Sequence, residues 1–287
     1  MIPTQFDYKA PATLEEAVAL LASDLDGAKV LAGGHSLIPA MKLRLAQPQL
    51  LVDIARIKSL SYIREEGDQI LIGATTTHYQ LESSDLLKRI CPLLPACAAS
   101  IGDVQVRNKG TIGGSVAHSD PAGDWPAAVL ALDADIVLVG TNGERIVKAE
   151  SFFVNLLTTD LQPGEILREI RIKKPSGRFG HAYQKVPHPA SGFAVVGVAV
   201  NLALNDDGTC KSAGIGVTGV GVKAYRAKAV EAALAGTSLD DDTIATAVTH
   251  VCDGIDPTAD LYASGEYRCH LAQVHTRRAI QAANSRG

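Results

Sequence analysis

Closely grouped cysteines are missing from this sequence. The five it has, Cys91, Cys97, Cys210, Cys252 and Cys269, are scattered, and no two stand in a C-x-x-C arrangement. An iron–sulfur cluster wants four grouped thiolates, so the chain is not expected to ligate one of its own. The odd count, with no signal-peptide pattern at the start, fits free thiols in a reducing cytoplasm. Excess positive charge is absent too. The formal net charge is -4, which argues against a nucleic-acid partner, since such a partner would need a basic face. The pair Arg277 and Arg278 reads as a solvated helix end. No apolar run approaches the length of a membrane span; the longest is Phe193 to Val200. Proline is sparse at 13 residues, and hydrophobic residues reach 46%, so disorder and collagen-like structure are excluded and a buried core is well supplied. Also missing are H-E-x-x-H, G-x-S-x-G and the P-loop pattern, which removes support for zinc peptidase, α/β-hydrolase and P-loop chemistry.

Periodicity gives an α+β chain in three parts. Thr13 to Glu16 forms a capping box ahead of Leu14, Ala17, Val18 and Leu21, the apolar stripe of an amphipathic helix ending near Gly27. Strands at Lys29–Ala32 and Leu50–Ile54 complete a first lobe over 1–58. A second lobe, 59–174, opens with a hairpin of Ser61–Arg64 and Gln69–Gly73, and Thr77 to Gln80 caps a helix. The stretch from Leu86 to Ile101 is helical but interrupted by Pro92 and Pro95. A further hairpin turns at Thr141-Asn142-Gly143, and the strand Ile166–Ile172 closes the lobe. Lys173 to Gly177 is the boundary to a C-terminal domain, 178–284. It has strands at Tyr183–Lys185, Ala194–Leu204 and Ser212–Val220, then helices over Arg226–Leu234, Asp241–Val251 and Tyr267–Asn284.

Two glycine pairs carry the candidate chemistry: Ala32-Gly33-Gly34-His35-Ser36 and Thr111-Ile112-Gly113-Gly114-Ser115. Glycine admits close approach of backbone to phosphate, and successive N–H groups form an anion nest. Two such loops could hold a pyrophosphate from opposite sides; a Cβ at Gly33 or Gly113 is then expected to block it. Taken alone, each pair reads better as a tight turn. A G-x-G-x-x-G pattern occurs at Gly214, Gly216 and Gly219, but it lies on strand-like alternation with no helix directly after it. It reads as a strand packed close to a neighbour, not as a dinucleotide fingerprint. His118, Asp120 and Asp124 could form a metal or acid/base cluster. The commoner reading is that Asp120-Pro121 is a turn and Asp124 caps the helix starting at Trp125-Pro126.

Taken together, Ala32–Arg44 and Arg107–Pro121 resemble the FAD-binding medium subunits of molybdenum hydroxylases, the family of carbon monoxide dehydrogenase and xanthine oxidase. Further matches are Leu161–Leu167, Ala182-Tyr183-Gln184-Lys185 and Tyr225-Arg226-Ala227, in order along the whole chain. The resemblance implies two lobes of the vanillyl-alcohol-oxidase (PCMH) type with FAD between them, then a three-stranded antiparallel sheet with helices. Carried over residue by residue, Val30, Leu31, Ala32, Gly33, Gly34, His35, Ser36 and Leu37 would wrap the FAD pyrophosphate with Thr111, Ile112, Gly113, Gly114 and Ser115. Asp120 and Asp124 would bond polar groups of the cofactor. Leu161 and Lys185 would lie nearer the flavin, Lys185 stabilising negative charge on the reduced ring, and Phe193 would shield it. The resemblance implies partners as well: a large molybdopterin subunit and a small subunit with two 2Fe–2S clusters, in a dimer of heterotrimers. No catalytic residue or metal ligand is assigned to this chain. Two other readings remain, a self-sufficient FAD oxidoreductase of the same fold and a non-catalytic binding protein with empty loops.

Overall fold

A computed structural model describes residues 2–285. The first lobe holds β1 (Asp7–Lys9), α1 (Leu14–Ser23), β2 (Ala28–Leu31), α2 (Leu37–Lys42) and β3 (Leu50–Asp53). Its small sheet is parallel, in the order β1-β3-β2. The polar strand β1 has no apolar pattern and was not legible in the sequence. Thr13 caps α1 by accepting from Glu16 N–H, while the Glu16 carboxylate reaches back to Ala12 N–H. The stripe Leu14, Ala17, Val18 and Leu21 is buried on Ala28, Val52, Ile54, Ile57 and Leu60.

The second lobe runs through β4 (Ile63–Glu66), β5 (Gln69–Gly73), α3 (His78–Ser83), α4 (Asp85–Ile90), α5 (Leu93–Ala99), α6 (Val104–Lys109), α7 (Ile112–His118) and α8 (Asp124–Ala131). It continues with β6 (Asp135–Gly140), β7 (Gly143–Lys148), α9 (Ala149–Phe152), β8 (Phe153–Asn155), β9 (Thr158–Thr159) and β10 (Ile166–Lys173). Five antiparallel strands pair in the order β4-β5-β10-β6-β7. The last strand in sequence is therefore the middle one in space. On β10, Glu169 is buried (1% exposed) beside Arg171 and Tyr62, whose hydroxyl donates to it. Pro92 breaks the helical stretch, but Pro95 does not: it is the third residue of α5. The first-turn N–H that it lacks has no intrahelical partner in any case.

The C-terminal domain consists of β11 (Arg178–Pro187), β12 (Ala194–Leu204), β13 (Cys210–Thr218), the two-residue β14 (Tyr225–Arg226), α10 (Lys228–Leu234), α11 (Asp241–Ala247) and α12 (Gly265–Asn284). Three long antiparallel strands form the sheet, with β14 added at the edge of β13. Glycines let helices approach both faces. A Cβ at Gly180 would run into the Ala283 carbonyl of α12, and Cβ atoms at Gly214 and Gly216 would run into the Ala131 and Ala127 carbonyls of α8. The G-x-G-x-x-G pattern is thus the seat of α8 on β13, and it joins the second lobe to the C-terminal domain.

One expectation is overturned here. Cys252 and Cys269 form a disulfide with Cα atoms 6.1 Å apart, leaving Cys91, Cys97 and Cys210 as buried free thiols. The turn after α11 and the first turns of α12 meet only in the tertiary fold, so a spacing of 17 residues carried no local signal.

Candidate functional site

The first glycine loop links β2 to α2. Gly34 has φ +75°, a conformation natural to glycine. Among the described residues, the backbone N–H groups of Gly33 to Leu37 donate to no protein acceptor, and the Ser36 side chain makes no capping bond to α2. Successive N–H groups left without protein acceptors can form an anion-binding nest.

The second loop is built differently. Thr111 caps α7 by accepting from Gly114 N–H at 3.2 Å. Ile112 N–H donates to Thr76 O at 3.0 Å, Gly113 N–H to Ala74 O at 2.9 Å and Ser115 N–H to Thr111 O at 3.0 Å. Its amides are consumed by the fold. What it offers is the exposed, side-chain-free surface of Gly114 and the Ser115 hydroxyl. Gly113 is buried, and a Cβ there would lie 2.5 Å from Ala74 Cβ. Its small size serves packing on the end of β5, which corrects the expectation that it keeps a path open for phosphate.

The loops abut. A Cβ at Gly33 would lie 2.8 Å from Gly110 Cα and closer still to the Lys109 carbonyl, and one at Gly114 would lie 3.9 Å from Ala32 Cβ. Val30 and Leu31 close β2 beneath the first loop, and Leu37 opens α2. His35 is exposed with its Nε2 3.4 Å from Gln105 O. Under the junction, the Trp125 indole donates to His78 Nδ1 at 3.0 Å. Burial, then the neighbouring His35 and Arg107, push the His78 pKa down to about 4.

Past α7 the chain turns at Asp120, whose carboxylate accepts from Ala122 N–H at 2.8 Å, as a turn residue should. His118 and Asp120 approach to 4.0 Å, but no cluster of three His, Cys, Asp or Glu side chains among the described residues could hold a metal. The expected capping role of Asp124 fails. Gly123 occupies the N-cap position without a side-chain bond, and Asp124 is the first helical residue, 5% exposed. Its Oδ1 accepts from the Tyr183 hydroxyl at 2.5 Å and its Oδ2 from Lys185 Nζ at 2.8 Å. Lys185 Nζ also donates to Ser100 O at 2.9 Å. Burial pushes the Asp124 carboxyl up from its ordinary range, and the Lys185 and Tyr183 donors oppose that. Burial, followed by the Asp124 charge, holds the Tyr183 phenol well above its usual value.

Beyond Lys185, the hairpin 188–193 closes with His188 N–H on Phe193 O at 2.7 Å. Phe193 is 46% exposed. A Cβ at Gly192 would come within 3.9 Å of Gly102 Cα, so this hairpin lies across the α5–α6 turn. Leu161, after β9, is partly buried against the second-lobe core. The structure therefore gathers two groups, the paired glycine loops and the Asp124–Lys185 cluster. Tyr183 was read only as part of a strand. Its spacing of two from Lys185 on β11 put both on one face and was the available signal. The Ser100 carbonyl had none.

Comparison with known proteins agrees with this architecture. The family described as FAD binding domain in molybdopterin dehydrogenase matches residues 4–175, and that described as CO dehydrogenase flavoprotein C-terminal domain matches 181–283. The chain is 40% identical to the carbon monoxide dehydrogenase medium chain of Hydrogenophaga pseudoflava over 286 residues, covering 100% of this chain and 99% of that one. It is 35% identical to the 6-hydroxypseudooxynicotine dehydrogenase complex subunit alpha of Paenarthrobacter nicotinovorans, covering 99% and 96%. The solved Hydrogenophaga pseudoflava carbon monoxide dehydrogenase that lacks the Mo-pyranopterin moiety superposes with a TM-score of 0.96 at 42% identity, over 100% of this chain and 99% of that chain. Among the described residues, no helix is long and apolar enough to cross a membrane.

Proposed function

Because the chain belongs to the FAD-binding flavoprotein subunits of the molybdopterin dehydrogenases, a family of oxidoreductases, we propose that it is the electron-relay subunit of a heterotrimeric molybdenum hydroxylase. It takes electrons from two 2Fe–2S clusters in a small partner subunit and passes them to an external acceptor. The substrate is oxidised at a molybdopterin cofactor in a large partner subunit, and the assembly is a cytoplasmic dimer of heterotrimers. FAD supplies the step that this requires, accepting electrons singly and releasing them in pairs.

The observation that carries the reading is the run of N–H groups from Gly33 to Leu37 without protein acceptors, on a loop that abuts the one carrying the exposed Gly114. A dinucleotide pyrophosphate matches it in charge and in acceptor number. In this arrangement Val30, Leu31 and Ala32 position the donors, while Gly33, Gly34, His35, Ser36 and Leu37 bind phosphate through the backbone. Thr111, Ile112 and Gly113 fix the opposing wall, and Gly114 and Ser115 face the cofactor. Asp120 holds the turn that brings Asp124 and Lys185 to the flavin end, where Leu161 and Phe193 exclude water. No nucleophile or acid/base pair is required of this chain, since the substrate chemistry is the large subunit's.

The test is a visible spectrum of the natively purified protein, with FAD, iron and molybdenum quantified per chain. Flavin together with iron and molybdenum supports the relay. Flavin alone with turnover of a donor points to a self-sufficient enzyme, and no flavin in an assembled complex refutes the reading.

A further inference from the structure

Lys185 carries the ammonium that the resemblance assigns to the reduced flavin, yet in the fold that charge is already met. The lysine side chain is 7% exposed and Asp124 5%, and they pair at 2.8 Å. The second carboxylate oxygen is taken by Tyr183, and a second ammonium proton by the Ser100 carbonyl. The site is made to keep this geometry. Tyr183 and Lys185 share one face of β11, and Gly197 on β12 leaves room for the phenol: a Cβ there would lie 2.6 Å from the Tyr183 hydroxyl. Asp124 is fixed from the other side, because Thr218 Oγ1 donates to the Pro121 and Gly123 carbonyls at 2.6 and 2.9 Å and so pins the start of α8 to β13. Charges removed from water this far persist only when paired and hydrogen-bonded.

We propose that Asp124 is a positioning residue that masks the charge of Lys185, so that the flavin lies beside a neutral ion pair and not a bare cation, and that this sets its reduction potential. The proposal rests on the FAD reading above. A cation beside the ring stabilises the negative charge gained on reduction and raises the potential, and a carboxylate lowers it. Inside a protein these effects are screened far less than in water. With both present at 2.8 Å their fields largely cancel at the ring.

Single removal of either charge should therefore move the potential in opposite directions. Asp124→Asn keeps the shape and an oxygen for Tyr183, exposes the lysine charge and raises the flavin midpoint potential. Lys185→Gln leaves the carboxylate alone and lowers it. The double variant Asp124→Asn/Lys185→Gln returns close to the wild-type value. A purely structural pair would give no such sign pattern.

The experiment uses the assembled complex, with FAD per chain measured by acid extraction and the midpoint potential by spectroelectrochemical titration of the flavin band. Opposite shifts with recovery in the double variant support the masking role. An unchanged potential in Asp124→Asn at full FAD content overturns it while leaving the FAD reading intact. Loss of FAD from both single variants makes the pair a structural strut and also overturns it. Absence of FAD from the wild-type complex removes the reading on which it rests.

Discussion

Substituting Gly33 by alanine adds one methyl group where two loops touch. That methyl would sit 2.8 Å from Gly110 Cα and closer to the Lys109 carbonyl, whereas ordinary contact begins at 3.4 Å. Both neighbours are backbone, so no side chain can swing away, and the loops must separate by roughly 1 Å. Overpacking of this kind costs about 1–3 kcal/mol. Charged wholly against the arrangement that binds FAD, that is roughly a 5- to 150-fold weaker Kd, at tenfold per 1.4 kcal/mol. Gly140→Ala, at the β6–β7 turn and outside both glycine loops, is the control. Its methyl would meet the Glu165 side chain at 3.1 Å, which can move aside. The assay is titration of the deflavinated protein with FAD, following quenching of flavin fluorescence, with melting temperatures taken with and without FAD. Gly33→Ala should lose affinity by more than Gly140→Ala. Full FAD affinity in Gly33→Ala, or an equal loss in Gly140→Ala, would refute the view that loop contact at Gly33 shapes the phosphate site.

Stability should fall in mild acid. His78 and His181 are 4% and 2% exposed, and burial lowers both pKa values to about 4. Their stabilising contribution is complete above the unfolded value of 6.5. As pH falls from there towards 4, the unfolded chain binds protons that the folded one refuses, at a cost approaching roughly 3 kcal/mol per histidine. An NMR titration giving His78 an ordinary pKa would overturn this. Gly216→Ala should force α8 off β13, costing about 1–3 kcal/mol, and a melting temperature equal to the wild type's would contradict the close approach. Opening the Cys252–Cys269 link with a thiol reductant, or Cys252→Ser, should lower stability by about 3 kcal/mol through regained chain entropy; identical urea midpoints with and without reductant would exclude the bond.

Much of this protein was legible from its residues alone. Period and caps placed α1, α3, the hairpin β6–β7 and the long strands, because local side-chain spacing and turn chemistry dictate those elements. The two glycine pairs marked the candidate for a phosphate-binding surface, and the Lys173–Gly177 break was read as the boundary to a C-terminal domain. Other features belong to the tertiary structure because they depend on residues far apart in the chain. The middle position of β10 and the parallel strand β1 are settled by partners dozens of residues away, β1 by backbone pairing that leaves no apolar pattern, and the disulfide by a tertiary contact across 17 residues. Sequence could count the glycines but not orient them. Only the fold decides that Gly33 meets Gly110, that Gly113 packs on Ala74 with its amide already used, and that Gly214 and Gly216 admit a helix. It also decides that Asp124 and Lys185, 61 residues apart, face each other. Residue types specify which charges a chain owns; burial and distance, which only the folded chain sets, determine which of them remain free to act.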